Sequence, residues 1–494
     1  MCQDIQRCRV SIFKPINVAI LSSEVLSMRD DVPRFRYPRA CSPSNVFTQD
    51  LLDRLTSALF SWQQGPGIFG GLHLHSCWEE SSVLTRRYQG QTVARYHSFL
   101  NGIMLLSDRT GDRFWRQQAG QIVANLLFQA RGGGFSNASG ENEPTYDCRQ
   151  TCPIHQGLPL LALLSYFEWP SADPALRDLI PEAVDRHWKW FQEIFWKNGN
   201  AWSGLLDFPG WCGVANQDLV IVAALAKAAK VLGRRESFEA YGLPVLETYL
   251  SPRYYHEAIG LFERGDRPQF AERTPYYGVI LEMLELLIAD GIEPVRLQAV
   301  VDNVSGHLFD SVFTWKDDKA HFSWGTKMKE GVVVGWTHGP ITFSAYPHLL
   351  PFMERHLARY PDASHQASYD RLKETLAAYV FQDGTIPSAL GTDDSTFAVV
   401  ANGDLIRFWT YLIDLLGDKV LSPERSKVVS VHRTCGGITW KDSGFFWSLE
   451  RKSEALFAGF KPNPFGVTIG KEPPFYVERS NLDRPQALEV VETF

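Results

Sequence analysis

The strongest constraint on the fold of this 494-residue chain is a repeat of paired helical segments. About twelve separate segments have apolar residues three and four positions apart, which is the spacing typical of an α-helix. The more apolar segments start near residues 91, 155, 215, 273, 336 and 401, at steps of roughly 60 residues. Six helical hairpins of this kind can close into a ring.

The two helices of each repeat differ in polarity. Even-numbered segments such as LVIVAALAKAAKVL and YYGVILEMLELLI are apolar almost all round, which is typical of buried helices. Odd-numbered segments such as YDRLKETLAAYVF are amphipathic. The pattern predicts an all-α (α/α)6 toroid, with the apolar helices in an inner ring and the amphipathic helices outside it.

The links between the helices differ in length. Links that follow an inner helix are short, as in SDRTGD and PSAD, whereas those that precede one are long and rich in Gly, Trp and polar residues. Two long links, NGNAWSGLLDF and DDKAHFSWGTK, are predicted to hold small hairpins. Long loops on a rigid scaffold commonly carry binding residues. The functional face is therefore expected where the inner helices begin.

The helical pattern stops near residue 419, and KVVSVHR, GGITWKD and GFFWSLER then alternate apolar and polar residues as strands do. The sequence therefore predicts an irregular N-terminal arm (1–40), the toroid (41–420) and a small β-rich C-terminal appendix (421–494). No run of about 18 apolar residues occurs, so no membrane span is expected. The N-terminus resembles neither a secretion signal nor an anchor, and scattered cysteines favour a reducing, cytoplasmic location.

Charge and motif content limit the partners. A net charge of -7 and a pI near 6.0 argue against nucleic acid. Neither a cofactor nor a metal is expected, because GGGF near residue 132 lacks the rest of a phosphate loop and Cys148-x3-Cys152 is an uncommon zinc spacing.

The cysteines in the long loops can be small buried hydrophobes, a thiolate nucleophile or part of a Cys/Glu zinc site. The oligomeric state stays open. These loop cysteines are Cys77, Cys148, Cys152 and Cys212.

The phrase Val-Ala-Asn-x-Asp-Leu occurs twice, at the starts of the third and sixth inner helices, which face each other in a ring of six. Asn216 and Asn402 are predicted N-caps, and Asp218 and Asp404 fall in the first turn, where the helix dipole favours a carboxylate. Two carboxylates that face each other across a cleft are also what glycosidic bond cleavage requires. Capping and catalysis both remain open for these aspartates.

Other polar and aromatic residues precede the inner helices. Asp147 is a third candidate acid, because it lies beside Tyr146 and Arg149 and shortly before His155. A histidine at a helix start, such as His155 or His338, can bond a loop, contact a sugar hydroxyl or transfer protons. Loop tryptophans can stack on the C–H faces of a sugar or simply anchor the loops. The candidate substrate-binding residues are His155, His338, Trp211, Trp336, Tyr146, Arg149 and Glu79.

Six hairpins with acids, histidines and tryptophans at the inner-helix starts, over residues 45–418, resemble the six-hairpin glycosidase superfamily. The resemblance implies an (α/α)6 toroid that acts on carbohydrates, as glycoside hydrolases, unsaturated-glycuronyl hydrolases and polysaccharide lyases do. Similar toroids occur in the N-acylglucosamine 2-epimerase group, which uses histidines for proton transfer. No motif selects one family, and the short appendix counts against the lyases.

The expected function is that of a glycoside hydrolase acting on a small or oligomeric carbohydrate, which can itself be acidic. Asp218 and Asp404, or Asp147, form the expected acid/base pair. One alternative is a sugar epimerase or isomerase with His155 and His338 as paired bases. Two others are a cysteine-dependent toroid enzyme with a small apolar substrate and a non-catalytic helical scaffold.

Overall fold

The computed structural model describes about three quarters of the predicted toroid and three short strands beyond it. The predicted arm and the chain after residue 448 lie outside the described residues. The described residues are 46–61, 63–69, 96–135, 153–197, 201–202, 213–265, 270–314, 319–337, 341–342, 345–380, 384, 386, 389–390, 398–399, 402–424, 431–435, 438–442 and 447–448.

Helices dominate the described part of the chain, and none of them is long and apolar enough to cross a membrane. A π-helical turn over Phe238–Gly242 joins two of them. The helices are α1 (Gln49–Ser61), α2 (Tyr96–Thr110), α3 (Arg113–Gln129), α4 (Pro153–Glu168), α5 (Pro174–Arg177), α6 (Ile180–Phe195), α7 (Ala215–Leu232), α8 (Arg235–Ser237), α9 (Leu243–Tyr249), α10 (Thr274–Ala289), α11 (Pro294–Asp310), α12 (Ala345–Arg359), α13 (Ala363–Ala378) and α14 (Asn402–Leu416).

Six of the helices close into a ring. Each of α2, α4, α7, α10, α12 and α14 packs against the next, and α14 packs back against α2. The outer helices lie against this ring, with α3 on α2 and α4, α9 on α7, α11 on α10 and α12, and α1 on α14. The predicted two-layered toroid is confirmed, and α7 and α14 lie opposite each other as expected.

The short links all lie at one end of the ring, as predicted, at residues 111–112, 169–173, 233–234, 290–293 and 360–362. Gly111, Gly233 and Gly291 have positive φ angles, which glycine adopts without steric cost as an inner helix ends. Asp112 then caps α3, its side chain accepting a hydrogen bond from the amide of Phe114 at 2.9 Å. These local signals turn the chain sharply, so one end of the ring is closed by tight turns.

Short strands fill the long links at the other end. Most of them form antiparallel hairpins, β1 with β2, β3 with β4, β5 with β6, β7 with β8 and β9 with β10. The strands are β1 (Gln63–Gly65), β2 (Ile68–Phe69), β3 (Trp196–Lys197), β4 (Ala201–Trp202), β5 (Tyr255–His256), β6 (Leu261–Phe262), β7 (Val312–Thr314), β8 (Ala320–Phe322), β9 (Gly325–Lys329), β10 (Val332–Thr337), β11 (Ile341–Thr342), β12 (Ala389–Leu390), β13 (Ala398–Val399), β14 (Val431–Cys435), β15 (Ile438–Asp442) and β16 (Trp447–Ser448).

Two expectations for the helix starts are wrong. The fifth inner helix begins at Ala345 and not near Trp336, which lies in β10. The β9–β10 turn, at Glu330 and Gly331 with φ angles of 51° and 75°, makes this stretch a hairpin. Asn216 is also not an N-cap, because α7 begins at Ala215 without a side-chain cap.

The strands expected after the toroid are described as β14, β15 and β16. β14 pairs with β15, whereas β16 pairs with β13 in the sheet β11–β12–β13–β16, which also contains strands from the toroid links. The separate appendix is therefore not established, and its remaining residues lie outside the described part.

The first and last hairpins of the toroid are joined by a seam of hydrogen bonds. The side-chain amide of Gln49 donates to the carbonyl of Leu421 at 3.2 Å and accepts from its amide at 3.0 Å. Trp409 on α14 donates to Thr56 on α1 at 2.8 Å. The buried ring of Trp409 also packs edge-on against Phe99 of α2 at 5.3 Å. Contacts between distant parts of the sequence thus close the ring.

Candidate functional site

A histidine and a glutamate meet across the bore of the ring. Nδ1 of His97 on α2 lies 3.4 Å from Oε1 of Glu282 on α10. These are the first and fourth inner helices, which face each other in a ring of six. Their side chains therefore meet near the ring axis and not in the interface between neighbouring helices.

A second histidine binds the other oxygen of the same carboxylate. Nε2 of His348 on α12 lies 3.1 Å from Oε2 of Glu282. Its imidazole lies over Gly278, one turn before Glu282 on α10, where a Cβ atom would come within 2.4 Å of the ring. The glycine thus provides the space that the imidazole of His348 occupies beside the carboxylate.

The sequence positions put this cluster towards the end where the inner helices begin. His97 and His348 lie in the first turns of α2 and α12, and Arg407 lies in the second turn of α14. Glu282 lies eight residues into α10, about 12 Å from its start at 1.5 Å per residue. We call His97, Glu282, His348 and Arg407 the axial cluster.

Burial and charge hold the groups of the axial cluster in different protonation states. Burial is the main cause that lowers the pKa of His97 below 6.5, and Arg407 adds to the lowering while Glu282 opposes it. For Glu282, burial is the largest single influence and by itself raises the pKa. The hydrogen bond from His348 and the surrounding positive charges outweigh it, so the pKa falls to about 2. At neutral pH Glu282 is ionised and His97 is neutral.

The neighbours of the two histidines fix their tautomers. A carboxylate only accepts hydrogen bonds, so Nε2 of His348, which bonds to Oε2 of Glu282, carries a proton. The side-chain amide of Asn101 lies 3.3 Å from Nε2 of His97, which accepts from it, so the proton of His97 is on Nδ1, 3.4 Å from Oε1 of Glu282 but without a hydrogen bond to it. The side chain of Glu282 is 27% exposed, whereas those of His97 and His348 are 1% and 11% exposed. The carboxylate is thus the most accessible of the three groups.

The first predicted acid, Asp218, has a different setting. It lies in the first turn of α7 as expected, but it is buried, and its Oδ2 accepts a hydrogen bond of 2.6 Å from Tyr249 on the outer helix α9. Burial, followed by the charge of Asp218, raises the pKa of Tyr249 well above 10, so the hydroxyl keeps its proton. The carboxyl of Asp218 is therefore bound to the outer layer.

Two other described candidates lie on the same side of the ring. His155 lies in the first turn of α4 and is half-buried. One face of Trp336 is covered by His307 of the outer helix α11, with ring centroids 5.6 Å apart and planes 18° apart. Trp336 therefore has at most one face left for a ligand.

The remaining predicted site residues are not brought together by the described structure. Asp404 lies in the first turn of α14, but its side chain is outside the described part. The other predicted site residues and the loop cysteines lie wholly outside it. These are Asp147, Tyr146, Arg149, Glu79, Trp211, His338, Cys77, Cys148, Cys152 and Cys212.

A buried ion pair accounts for another acid from the long loops. Glu272 is 1% exposed, and its Oε1 lies 2.5 Å from a guanidinium nitrogen of Arg264. The same oxygen accepts a hydrogen bond from the amide of Arg273 at 3.0 Å. Both residues lie in the link between β6 and α10, so the ion pair stabilises this link internally. Among the described residues, no group of three or more His, Cys, Asp and Glu side chains could hold a metal ion.

The axial cluster has one signal in the sequence. Glu282 is an acid inside the apolar run YYGVILEMLELLI of an inner helix. A carboxylate on a buried helix needs a partner, because burying a lone charge is costly. Its partners come from helices that are distant in the sequence, so the pattern did not reveal them.

The closed ring of six inner helices with six outer ones defines this chain as a six-hairpin (α/α)6 toroid protein. No family model matches the sequence, and no curated protein matches it. Among solved structures, a sugar epimerase from a ruminal bacterium matches with a TM-score of 0.54 at 11% identity, over 76% of this chain and 98% of that one. Cellobiose 2-epimerase from Bacillus thermoamylovorans matches with a TM-score of 0.53 at 10% identity, over 75% and 100%.

A family 76 glycoside hydrolase from a bovine Bacteroides thetaiotaomicron strain has the same architecture. It matches with a TM-score of 0.50 at 9% identity, over 76% of this chain and 79% of that one. The expected resemblance to six-hairpin glycosidase-like enzymes is therefore confirmed at the level of the fold, without a specific family. Since one fold hosts several reactions, the chemistry has to be argued from the site.

Proposed function

We propose that this chain is a carbohydrate-active enzyme whose axial cluster transfers a proton at a sugar carbon, as an epimerase or isomerase does. The contact that carries this proposal is the carboxylate of Glu282 held between His97 and His348 inside the bore. The toroids of two sugar epimerases and of a glycoside hydrolase are similar in fold, which supports a sugar as the substrate class.

The groups of the cluster suit proton transfer. Removal of the proton on the carbon next to a sugar carbonyl gives an enediolate. Return of a proton to the other face of the same carbon gives an epimer. Its return to the neighbouring carbon, with transfer of the hydroxyl proton to the former carbonyl oxygen, gives a ketose. A positioned base is needed in its unprotonated form, and its protonated form must be stabilised. In this proposal the base is Nε2 of His97, where the substrate replaces the side-chain amide of Asn101. His97 is neutral at neutral pH, and Glu282 faces its Nδ1 to stabilise an imidazolium. In this proposal Glu282 also contacts the substrate, because it is the most accessible of the three.

Hydrolysis by the predicted aspartates has less support from the described contacts. That reaction needs a protonated acid and a second carboxyl on either side of one sugar linkage. The carboxyl of Asp218 is bonded to Tyr249 and buried, and Glu282 is ionised. Hydrolysis with Asp147 and Asp404 remains a hypothesis that the same experiment tests.

The test is incubation of the full chain with D-glucose, D-mannose, D-fructose and cellobiose in deuterium oxide, followed by NMR. We expect one sugar to be converted into its epimer or isomer, with deuterium at the carbon next to the carbonyl. Release of monosaccharide from cellobiose without deuterium on carbon would show hydrolysis. If no sugar changes, and longer oligosaccharides also remain intact, a carbohydrate reaction at this site is excluded.

A further inference from the structure

The start of α7 carries a buried polar atom that the fold itself does not use. Asn216 is 5% exposed, and within the described part of the chain its side-chain oxygen Oδ1 has no hydrogen-bond partner. Buried polar atoms nearly always have a partner, and one without a partner costs free energy. Asn216 does not cap the helix either, so capping does not explain it.

Helix geometry places Asn216 on the side of α7 that faces the bore. Asp218 contacts the outer helix α9 through Tyr249. Two residues along a helix of 3.6 residues per turn correspond to about 160° between the two side chains. Because α4 and α10 flank α7 in the ring, the direction opposite α9 is the bore.

A second residue supports this orientation. Lys227 lies eleven residues after Asn216, about 20° away round the helix. It forms ion pairs with Glu168 at the end of α4 and with Asp290 after α10, the latter at 3.6 Å. Only the inner stripe of α7 lies near both flanking helices in this way. Asn216 lies on that stripe, in the first turn of its helix, as His97 and His348 do in theirs.

We propose that Oδ1 of Asn216 accepts a hydrogen bond from a substrate hydroxyl group and so positions the sugar in the bore near the axial cluster. A neutral amide oxygen matches a neutral hydroxyl donor, and a sugar carries several such donors. This inference rests on the proposed function for the class of ligand. It adds a binding residue on α7, whereas the axial cluster belongs to α2, α10, α12 and α14.

The experiment compares Asn216→Ala with the matched control Gln217→Ala. Gln217 is the next residue, is 7% exposed and also has a side-chain oxygen without a partner in the described part. It points about 100° away from Asn216, towards the side of the helix. Binding of D-mannose, D-glucose and cellobiose is measured by titration calorimetry, and KM and kcat are measured for any sugar that exchanges deuterium.

We expect Asn216→Ala to weaken sugar binding and raise KM about tenfold, the effect of one lost hydrogen bond, with kcat nearly unchanged. Its urea midpoint should equal or exceed that of the wild type, because an unsatisfied oxygen has been removed. Gln217→Ala should bind sugar as the wild type does. A merely structural asparagine would instead show an unchanged Kd, which overturns the proposal.

The other outcomes are equally distinct. Deuterium exchange with an unchanged KM in Asn216→Ala overturns this inference and leaves the proposed function standing. Sugar binding without exchange overturns the function, and the two Kd values then decide the role of Asn216. Equal loss of binding in both variants would show that the start of α7 as a whole is disturbed, and it also overturns the proposed role of Asn216. If the wild type binds no sugar, a sugar is not the ligand of Asn216.

Discussion

The imidazole of His97 and the carboxylate of Glu282 approach to 3.4 Å from helices on opposite sides of the ring. A contact of this kind fixes the width of the bore at one level and concentrates charge at its axis. It also places one carboxylate, that of Glu282, beside both histidines.

Replacement of Glu282 by Gln removes the charge that orients both imidazoles. We expect kcat to fall by about 10²- to 10⁴-fold, the usual contribution of a positioned acid or base. Deuterium exchange followed by NMR measures this loss. The matched control is Glu285→Gln, one turn further along α10, where both carboxylate oxygens bond to Arg355 at 2.8 and 2.9 Å. Equal loss in both variants would contradict the assignment.

Gly278→Ala tests whether the position of the His348 imidazole matters for the reaction. The added methyl group would lie 2.4 Å from the ring, so the imidazole must move away from Glu282. We expect about a 10²-fold loss of kcat, as for a catalytic group misplaced by about 1 Å. Alanine also favours the helix by about 1 kcal/mol, so unfolding in urea should change little.

The control for this change is Gly306→Ala on the outer helix α11. A Cβ atom there would lie 3.1 Å from the ring of His356, which is outside the axial cluster. This variant should keep wild-type kcat. Full activity in Gly278→Ala would show that the position of His348 does not matter for the reaction.

Tyr249→Phe tests whether Asp218 is structural. The variant removes a buried hydrogen bond of 2.6 Å to a carboxylate, so the free energy of unfolding should fall by about 1.5–3 kcal/mol. Tyr254→Phe is the control, because its ring lies beside that of Tyr249, with centroids 5.2 Å apart. Asp218→Asn should likewise lose stability and keep its activity. Loss of activity in Asp218→Asn at unchanged stability would instead support Asp218 as a catalytic acid.

The pH dependence of stability should include a contribution from His187. Burial lowers its pKa to about 3, so between pH 6.5 and 3 the unfolded chain binds a proton that the folded chain does not. Above pH 6.5 His187 is neutral in both the folded and the unfolded chain, so its protonation costs no stability. As the pH falls from 6.5 towards 3, the free energy of unfolding should fall by about 1.4 kcal/mol per pH unit.

His187→Phe should remove this part of the slope. Phenylalanine can keep the stacking on Phe191, where the ring centroids are 5.9 Å apart. Gln156 also keeps its 2.8 Å hydrogen bonds to the backbone of Phe135. Urea unfolding at several pH values between 4 and 7 measures the slope. An identical slope in the variant would show that His187 does not titrate in this way.

The ring was predictable because each hairpin repeats one local pattern: an apolar helix, a tight turn and an amphipathic helix. The stretch around Trp336 failed because a run of apolar residues there belongs to β10, and the turn at Glu330 and Gly331 decides its structure. The site was mostly missed for another reason. Glu282, His348 and His97 come together only when the ring closes, and no sequence spacing encodes that distance.

The seam between α1, α2 and α14 also affects the order in which the protein can form. Its hydrogen bonds join Gln49 to Leu421 and Thr56 to Trp409, so they must wait until nearly the whole toroid has left the ribosome. At 5–20 residues per second, α1 and α2 remain without their final partner for roughly 15 to 75 seconds. During that time Phe99 lacks the ring of Trp409 that covers it in the finished protein. Nascent chains stalled before α14 should therefore bind chaperones and stay bound when the sample is diluted. This exposure of apolar surface should end once α14 packs against α1 and α2.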